Sequence, residues 1–234
     1  MKASITIYPY EPFPLDYGIT LFNFQNKVEY SQLLFRINKL KKQDTLVDDP
    51  DRIMHFYTNP KKILEEKLTD ISFIGDLTSY NLNSASNIKF VLKKILHDSP
   101  ILREKIENLN VNENNLVFEA ITAYDSEISF DPFANFEKLL KAKEIRVDDS
   151  NWQNYCDKIT SIVGFYSEFT NKKLLLFHNL ERLLNYDQLN ELNDYLKSLD
   201  LLIISLESFP MTLKEDNLNV KLYSIDEDHV RFDY

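Results

Sequence analysis

A chain of 234 residues with 44% apolar content is long enough to bury a full core, as one domain or as one domain with a smaller appendage. Its 27 basic residues against 37 acidic ones leave a formal net charge of −10, which argues against nucleic acid unless lysines gather on one surface, because phosphate attraction fades within about 10 Å at 0.1 M salt. A single cysteine excludes an intramolecular disulfide and a thiolate metal cluster, no apolar run is long enough to span a bilayer, and nothing resembles a signal peptide, so a soluble cytoplasmic protein is expected.

Residues 5–8 and 19–24 read as two strands joined by a proline-rich turn around Pro12, Pro14 and Asp16. Tyr30, Leu33, Leu34, Ile37 and Lys41 mark a helix that ends in a basic, polar loop running to Asp48, Asp49 and Pro50. Residues 53–57 and 71–74 read as further strands, and 60–68 has no decisive pattern. From Ser84 the character changes to three amphipathic stripes: Ile88, Val91, Leu92, Ile95 and Leu96; then Leu102, Ile106 and Leu109; then Val117, Ala120, Ile121 and Tyr124. Ser99 and Pro100 open the second stripe as a capping hydroxyl and a first-turn proline. Contiguous short helices without intervening strands predict a helical insertion at 84–125 in an α/β domain made of 1–83 and 126–234.

After the acidic stretch 125–131, Phe133, Phe136 and Leu140 mark a helix and 145–147 a short strand. Trp152, Tyr155, Ile159, Ile162, Val163 and Tyr166 mark a long helix, with Cys156 on its apolar face as a core residue rather than a nucleophile. Two runs follow, Lys172-Lys173-Leu174-Leu175-Leu176-Phe177-His178-Asn179 and Leu201-Leu202-Ile203-Ile204-Ser205-Leu206-Glu207. Each is too short for a helix and too uniformly apolar for a half-wet strand, so both predict buried parallel strands. Leu189, Leu192, Leu196 and Leu199 recur between them at helical spacing, which predicts a right-handed strand-helix-strand crossover. Residues 220–224 read as a closing edge strand before an acidic tail.

The domain is thus read as α/β and nucleotide-fold-like, yet without the means to hold a nucleotide. Its three glycines, Gly18, Gly75 and Gly164, are far apart, so neither G-x-x-x-x-G-K-[ST] nor G-x-G-x-x-G can be written. His178 and Asn179 stand at the strand tip where an NTPase would be expected to place a magnesium-binding aspartate. Nucleotide hydrolysis and a nucleotide cofactor are not expected. The histidines, at 55, 97, 178 and 229, form no zinc-binding spacing. Lysines do cluster, at 39, 41 and 42; 61 and 62; 93 and 94; 138, 141 and 143; and 172 and 173.

In its order of parts the sequence resembles the small ring-forming adaptation protein of type II-A CRISPR systems, the accessory component used in acquiring new spacers. The resemblance rests on the proline-rich first hairpin; Ile71-Ser72-Phe73-Ile74-Gly75-Asp76-Leu77 followed by Asn83-Ser84 and a helix; Leu116-Val117-Phe118-Glu119; the acidic 125–131 segment; and the two apolar runs quoted above. It extends over most of the chain from about residue 71. It implies an α/β head carrying an all-helical leg, four subunits closed into a ring, and double-stranded DNA threaded from an end through the central hole. It also implies calcium near the junction of head and leg, no nuclease or NTPase activity, and as partners the CRISPR integrase complex and the RNA-guided effector nuclease.

For DNA contact the expectation falls first on Lys138, Lys141 and Lys143, and second on Lys39, Lys41 and Lys42. A ring repeats one cluster four times around its hole, so a modest patch becomes a basic collar on an acidic protein. For calcium the resemblance points to Glu119, Asp125, Glu127 and Asp131, whose oxygens suit a hard cation although no EF-hand spacing is present. An acidic loop with Asp131 as helix N-cap is the structural alternative. Two other functions stay open: a metal-dependent nuclease using the carboxylates of 119–131, and a purely protein-binding adaptor.

Overall fold

The uniformly apolar runs become neighbouring central strands, and their surroundings follow from their need for cover on both faces. The computed structural model describes residues 3–41, 53–57, 71–98, 103–132, 136–209 and 217–234. Its elements are β1 (Ala3–Ile7), β2 (Phe13–Leu15), β3 (Gly18–Phe24), α1 (Lys27–Lys41), β4 (Met54–Tyr57), β5 (Ile71–Asp76), α2 (Ala85–Asp98), α3 (Arg103–Ile121), α4 (Phe136–Ala142), α5 (Tyr155–Phe169), β6 (Leu174–His178), α6 (Tyr186–Ser198), β7 (Leu202–Glu207), β8 (Lys221–Ile225) and β9 (Arg231–Asp233). The chain divides into two compact units, one made of Met1–Tyr80 with Asn151–Tyr234 and the other of Asn81–Ser150. Among the described residues no helix is long and apolar enough to cross a membrane.

The first unit holds a six-stranded sheet of order β5-β6-β7-β3-β8-β9, parallel except for β9, which pairs antiparallel with β8, and a three-stranded antiparallel sheet of order β2-β1-β4. β6 and β7 are joined through α6, as the spacing of the leucines predicts. Leu174, Leu175, Phe177, Ile203 and Ile204 have no solvent exposure, and each such side chain contributes about 1.5–3 kcal/mol by leaving water. A capping box starts α6, with the Asn185 side chain accepting from Gln188 N–H and the Gln188 side chain from Asn185 N–H. Leu189, Leu192 and Leu196 then face the sheet.

One polar residue, Asn193, is buried on that same face of α6. Its Oδ1 accepts from Ile19 N–H at 2.8 Å and its Nδ2 donates to the Asn219 carbonyl at 3.1 Å, so it ties the helix to the start of β3 and the approach to β8. Gly18 has φ +110°, and a Cβ there would lie 2.2 Å from Asn193 Oδ1. Only a residue without a side chain admits both the backbone angle and the amide.

Three expectations about strands are corrected. Residues 5–8 and 19–24 do not form a hairpin: β1 pairs with β2 and β4, whereas β3 lies between β7 and β8 in the other sheet. The reason is burial, since all seven residues of β3 are buried while β1 alternates between buried and half-buried positions. Phe13, from inside the proline-rich turn, packs edge-on against Phe22 and Tyr223 at 4.8 and 4.9 Å, within the core shared by both sheets. Residues 221–225 are not an edge, because β9, drawn from the acidic tail, pairs with their free side. Residues 145–147 are not a strand: the Asn83 side chain satisfies Val147, accepting its N–H at 2.8 Å and donating to its carbonyl at 3.0 Å.

In the second unit α2 buries Val91 and Leu92 and packs with α4, whose Leu140 is buried. The second and third amphipathic stripes are one 19-residue helix, α3, because residues 110–115 contain neither proline nor glycine to interrupt it. The Ser99-Pro100 start lies outside the described residues. No described side chain of α3 is fully buried, and Leu109, Val111, Leu116 and Phe118 are exposed.

Candidate functional site: the sheet crevice and a candidate nucleic-acid interface

The rim outside the carboxyl ends of parallel strands is where α/β sheets take ligands. Here that rim is occupied by the chain's own side chains. After β3, Asn26 Oδ1 accepts from the N–H groups of Val28 and Glu29 at 3.0 and 3.2 Å, so the opening amides of α1 are capped internally. Buried Asn23 clamps the exit of β7, donating to the Phe209 carbonyl at 3.0 Å and accepting from Phe209 N–H at 2.9 Å. Tyr30 reaches from α1 to donate to Asn179 Oδ1 at 2.9 Å. Burial raises its phenol above the ordinary range, and the nearby Glu207 adds to the effect.

β7 lies between β3 and β6, and its last residue is Glu207. A carboxylate does stand there, but it faces inward. Glu207 is 1% exposed, and its Oε1 accepts from Leu180 N–H at 2.9 Å, Glu181 N–H at 3.4 Å and Ser205 Oγ at 2.5 Å. Burial pushes its carboxyl pKa up to about 7, against the opposing pull of those hydrogen bonds. Asp76, at the tip of β5, accepts from Thr78 Oγ1 at 2.6 Å and Thr78 N–H at 2.7 Å, which holds its carboxyl below the usual range. Sequence reasoning missed Asn23, Tyr30 and Glu207 as a group, because nothing in residue spacing says which strand ends are neighbours.

A second cluster in this unit was equally hidden. Tyr10 donates its hydroxyl to Glu29 Oε1, and His229 Nδ1 lies 3.1 Å from Glu29 Oε2 and 3.2 Å from Tyr10 Oη. It borders a cavity of 520 Å³ lined in part by Tyr8, Phe24, Gln32 and Arg36. Three residues separated by up to 219 positions leave no local signature in the chain.

The expected basic residues fall into separate places. Lys138 pairs with Asp131 at 2.9 Å and Lys141 with Glu137 at 2.6 Å, whereas Lys143 is exposed and forms no ion pair among the described residues. All three are in the second unit, on α4 or just after it. Lys39 belongs to α1 in the first unit, with its Nζ 4.9 Å over the Phe35 ring. Lys41 is the last residue of α1, and Lys42 lies outside the described residues.

Of the four expected calcium ligands, Glu119 is in the last turn of α3, Asp125 and Glu127 follow it exposed, and Asp131 is engaged by Lys138. Among the described residues no three acidic, histidine or cysteine side chains stand close enough to hold a metal ion, so these carboxylates do not form a cage in one chain as placed. Residues 133–135, where an Asp131 cap would act, lie outside the described residues.

The family model described as CRISPR-associated protein (Cas_Csn2) matches residues 48–229. A CRISPR-associated protein Csn2 of Enterococcus faecalis is 24% identical over 144 residues, which cover 60% of this chain and 65% of that protein, just under two thirds of its length. A protein of the same description from Streptococcus agalactiae is 23% identical over 184 residues, covering 77% of this chain and 79% of that protein. The matched stretch begins after α1 and includes the parallel strands β5 to β8 together with the whole second unit. The chain therefore belongs to the CRISPR-associated Cas_Csn2 family, and its role lies within a CRISPR system.

Proposed function

We propose that this protein is a non-enzymatic binder of double-stranded DNA ends that acts as a homotetrameric ring in CRISPR spacer acquisition. The observation that carries the reading is membership of the CRISPR-associated family over most of the chain. In this reading residues 1–83 and 126–234 form a nucleotide-fold-like head and residues 84–125 a helical leg. The integrase complex and the RNA-guided effector nuclease are its protein partners.

Three features of the chain support it. The crevice at the carboxyl rim is filled by Asn23, Tyr30 and Glu207, which suits a scaffold rather than a hydrolase. α3 exposes Leu109, Val111, Leu116 and Phe118 without burying any described side chain fully, and a helix of that kind gains its stability from a further packing partner, here other copies of the chain. Lys138, Lys141 and Lys143 follow one another along one short helix and its end. Exposed ion pairs such as Lys138–Asp131 contribute roughly 0–1 kcal/mol, so a lysine exchanges a carboxylate for a phosphate at little cost. Contacts of this kind position a duplex without reading bases.

The test is incubation of pure protein with linear and circular duplexes across a salt series. Retention of linear DNA without cleavage is expected, with log affinity falling against log salt at about −0.9 per phosphate neutralised. Fragmented product would instead establish the nuclease reading, and no interaction the adaptor. Calcium at Glu119, Asp125, Glu127 and Asp131 is part of the same proposal, resting on oxygen donors of the right chemistry. A parallel series in excess chelator tests it: unchanged assembly and DNA retention would remove the metal.

A further inference from the structure

The ladder between β8 and β9 fixes where each backbone group of β9 points. Leu222 and Tyr234 exchange two backbone hydrogen bonds, at 3.2 and 2.9 Å, and Asp226 N–H donates to the Val230 carbonyl at 3.1 Å. Antiparallel pairs alternate, so Val230, Phe232 and Tyr234 turn their N–H and C=O groups toward β8, while Arg231 and Asp233 turn theirs outward. β9 is last in the sheet order, and no further strand covers that outward side among the described residues.

The side chains alternate as well. Val230, Phe232 and Tyr234 are 49%, 42% and 38% exposed and form an apolar row on one face. On the other face the Arg231 guanidinium lies over the rings of Phe13 and Tyr223, at 4.2 and 4.9 Å, and holds the Asp233 carboxylate at 2.6 and 2.7 Å. An open row of backbone donors and acceptors beside exposed apolar side chains is the arrangement that accepts another strand.

We propose that β9 pairs antiparallel with β9 of a second copy about a two-fold axis at Phe232, which joins the two six-stranded sheets into one. The register follows from charge. With the axis at Phe232, Arg231 stands opposite Asp233 of the partner subunit, and the symmetric pair repeats it, so opposite charges meet twice. An axis at Arg231 or at Asp233 would instead set like charges against each other. On the apolar face Phe232 meets Phe232 of the partner subunit, at a non-hydrogen-bonded position where Cβ atoms approach to about 4.5–5.5 Å, and Val230 meets Tyr234 of the partner subunit. Residues 230–234 lie beyond the stretch matched by the family model, so this pairing rests on the chain's own residues. It is independent of the DNA reading, although it supplies one of the self-complementary interfaces that a closed ring of identical copies needs.

The experiment uses the full chain. In a Cys156→Ser background, Phe232→Cys brings two thiols across the axis, and mild oxidation is expected to give a covalent dimer, whereas Glu227→Cys in the exposed β8-β9 turn gives none. Phe232→Asp is expected to weaken self-association about tenfold in sedimentation equilibrium, as for a central aromatic interface residue, with an unchanged thermal melt. Failure of the Phe232→Cys variant to form a covalent dimer, together with wild-type association of Phe232→Asp, overturns the proposal. A tetramer that persists in Phe232→Asp without cross-linking would remove the β9 pairing and leave the ring standing. A cross-linked dimer that does not retain linear DNA would support β9 pairing and remove the DNA reading.

Discussion

At the scale of single residues, Glu207 couples the sheet rim to pH. Its folded pKa of about 7 lies above the ordinary value of 4.5. Between those two pH values the folded chain keeps a proton that the unfolded chain has released. The stability from this group is therefore full below pH 4.5 and lost as pH rises through about 7, by on the order of 3 kcal/mol in total. Glu207→Gln keeps an acceptor for Leu180 N–H but has no proton to lose. Urea unfolding at pH 5 and pH 8 is expected to show a smaller loss of stability at the higher pH in the variant than in wild type. An identical pH dependence in both proteins would remove Glu207 as the cause.

At the scale of elements, the seating of α6 on β3 depends on one glycine and one amide. Gly18→Ala places a methyl group 2.2 Å from Asn193 Oδ1 at a φ of +110°. Backbone strain of this kind costs about 1–3 kcal/mol, and displacement of Asn193 adds about 1 kcal/mol for the hydrogen bond from Ile19. Asn193→Ala relieves the collision but not the backbone angle, so the two substitutions together are expected to cost less than their sum, measured by denaturant unfolding. Strictly additive values would show that the two groups are not pressed together. The crossover of β6, α6 and β7 was legible in the sequence because a buried parallel strand is apolar on both faces and its helix keeps a strict leucine stripe. The partners of β1 and β3 were not legible, since two strands adjacent in the chain and joined by a proline-rich turn suit a hairpin equally well.

At the scale of the molecule, the proposed binding of an anionic duplex by a chain of net charge −10 depends on where its lysines stand rather than on how many there are. Lys138 and Lys141 are already matched by Asp131 and Glu137, which leaves Lys143 as the cation of the three whose field is least compensated locally. Lys143→Glu is expected to weaken retention of linear duplex and to flatten the salt slope by about 0.9 for each phosphate no longer neutralised, with thermal unfolding unchanged because the residue is exposed. Equal affinity and slope in variant and wild type would take Lys143 out of the interface.

The sequence by itself determined the α/β class, the parallel centre of the large sheet and the family, because these rest on local periodicity, apolar runs and ordered motifs, all written in residues near one another. Only the tertiary structure decided that Asn23, Tyr30 and Glu207 fill one rim, that Tyr10, Glu29 and His229 meet, that two helical stripes are a single helix, and that an acidic tail becomes a sheet edge. Those arrangements bring distant residues together through strand order, and strand order is set by which faces must be buried against which, a balance summed over the whole core.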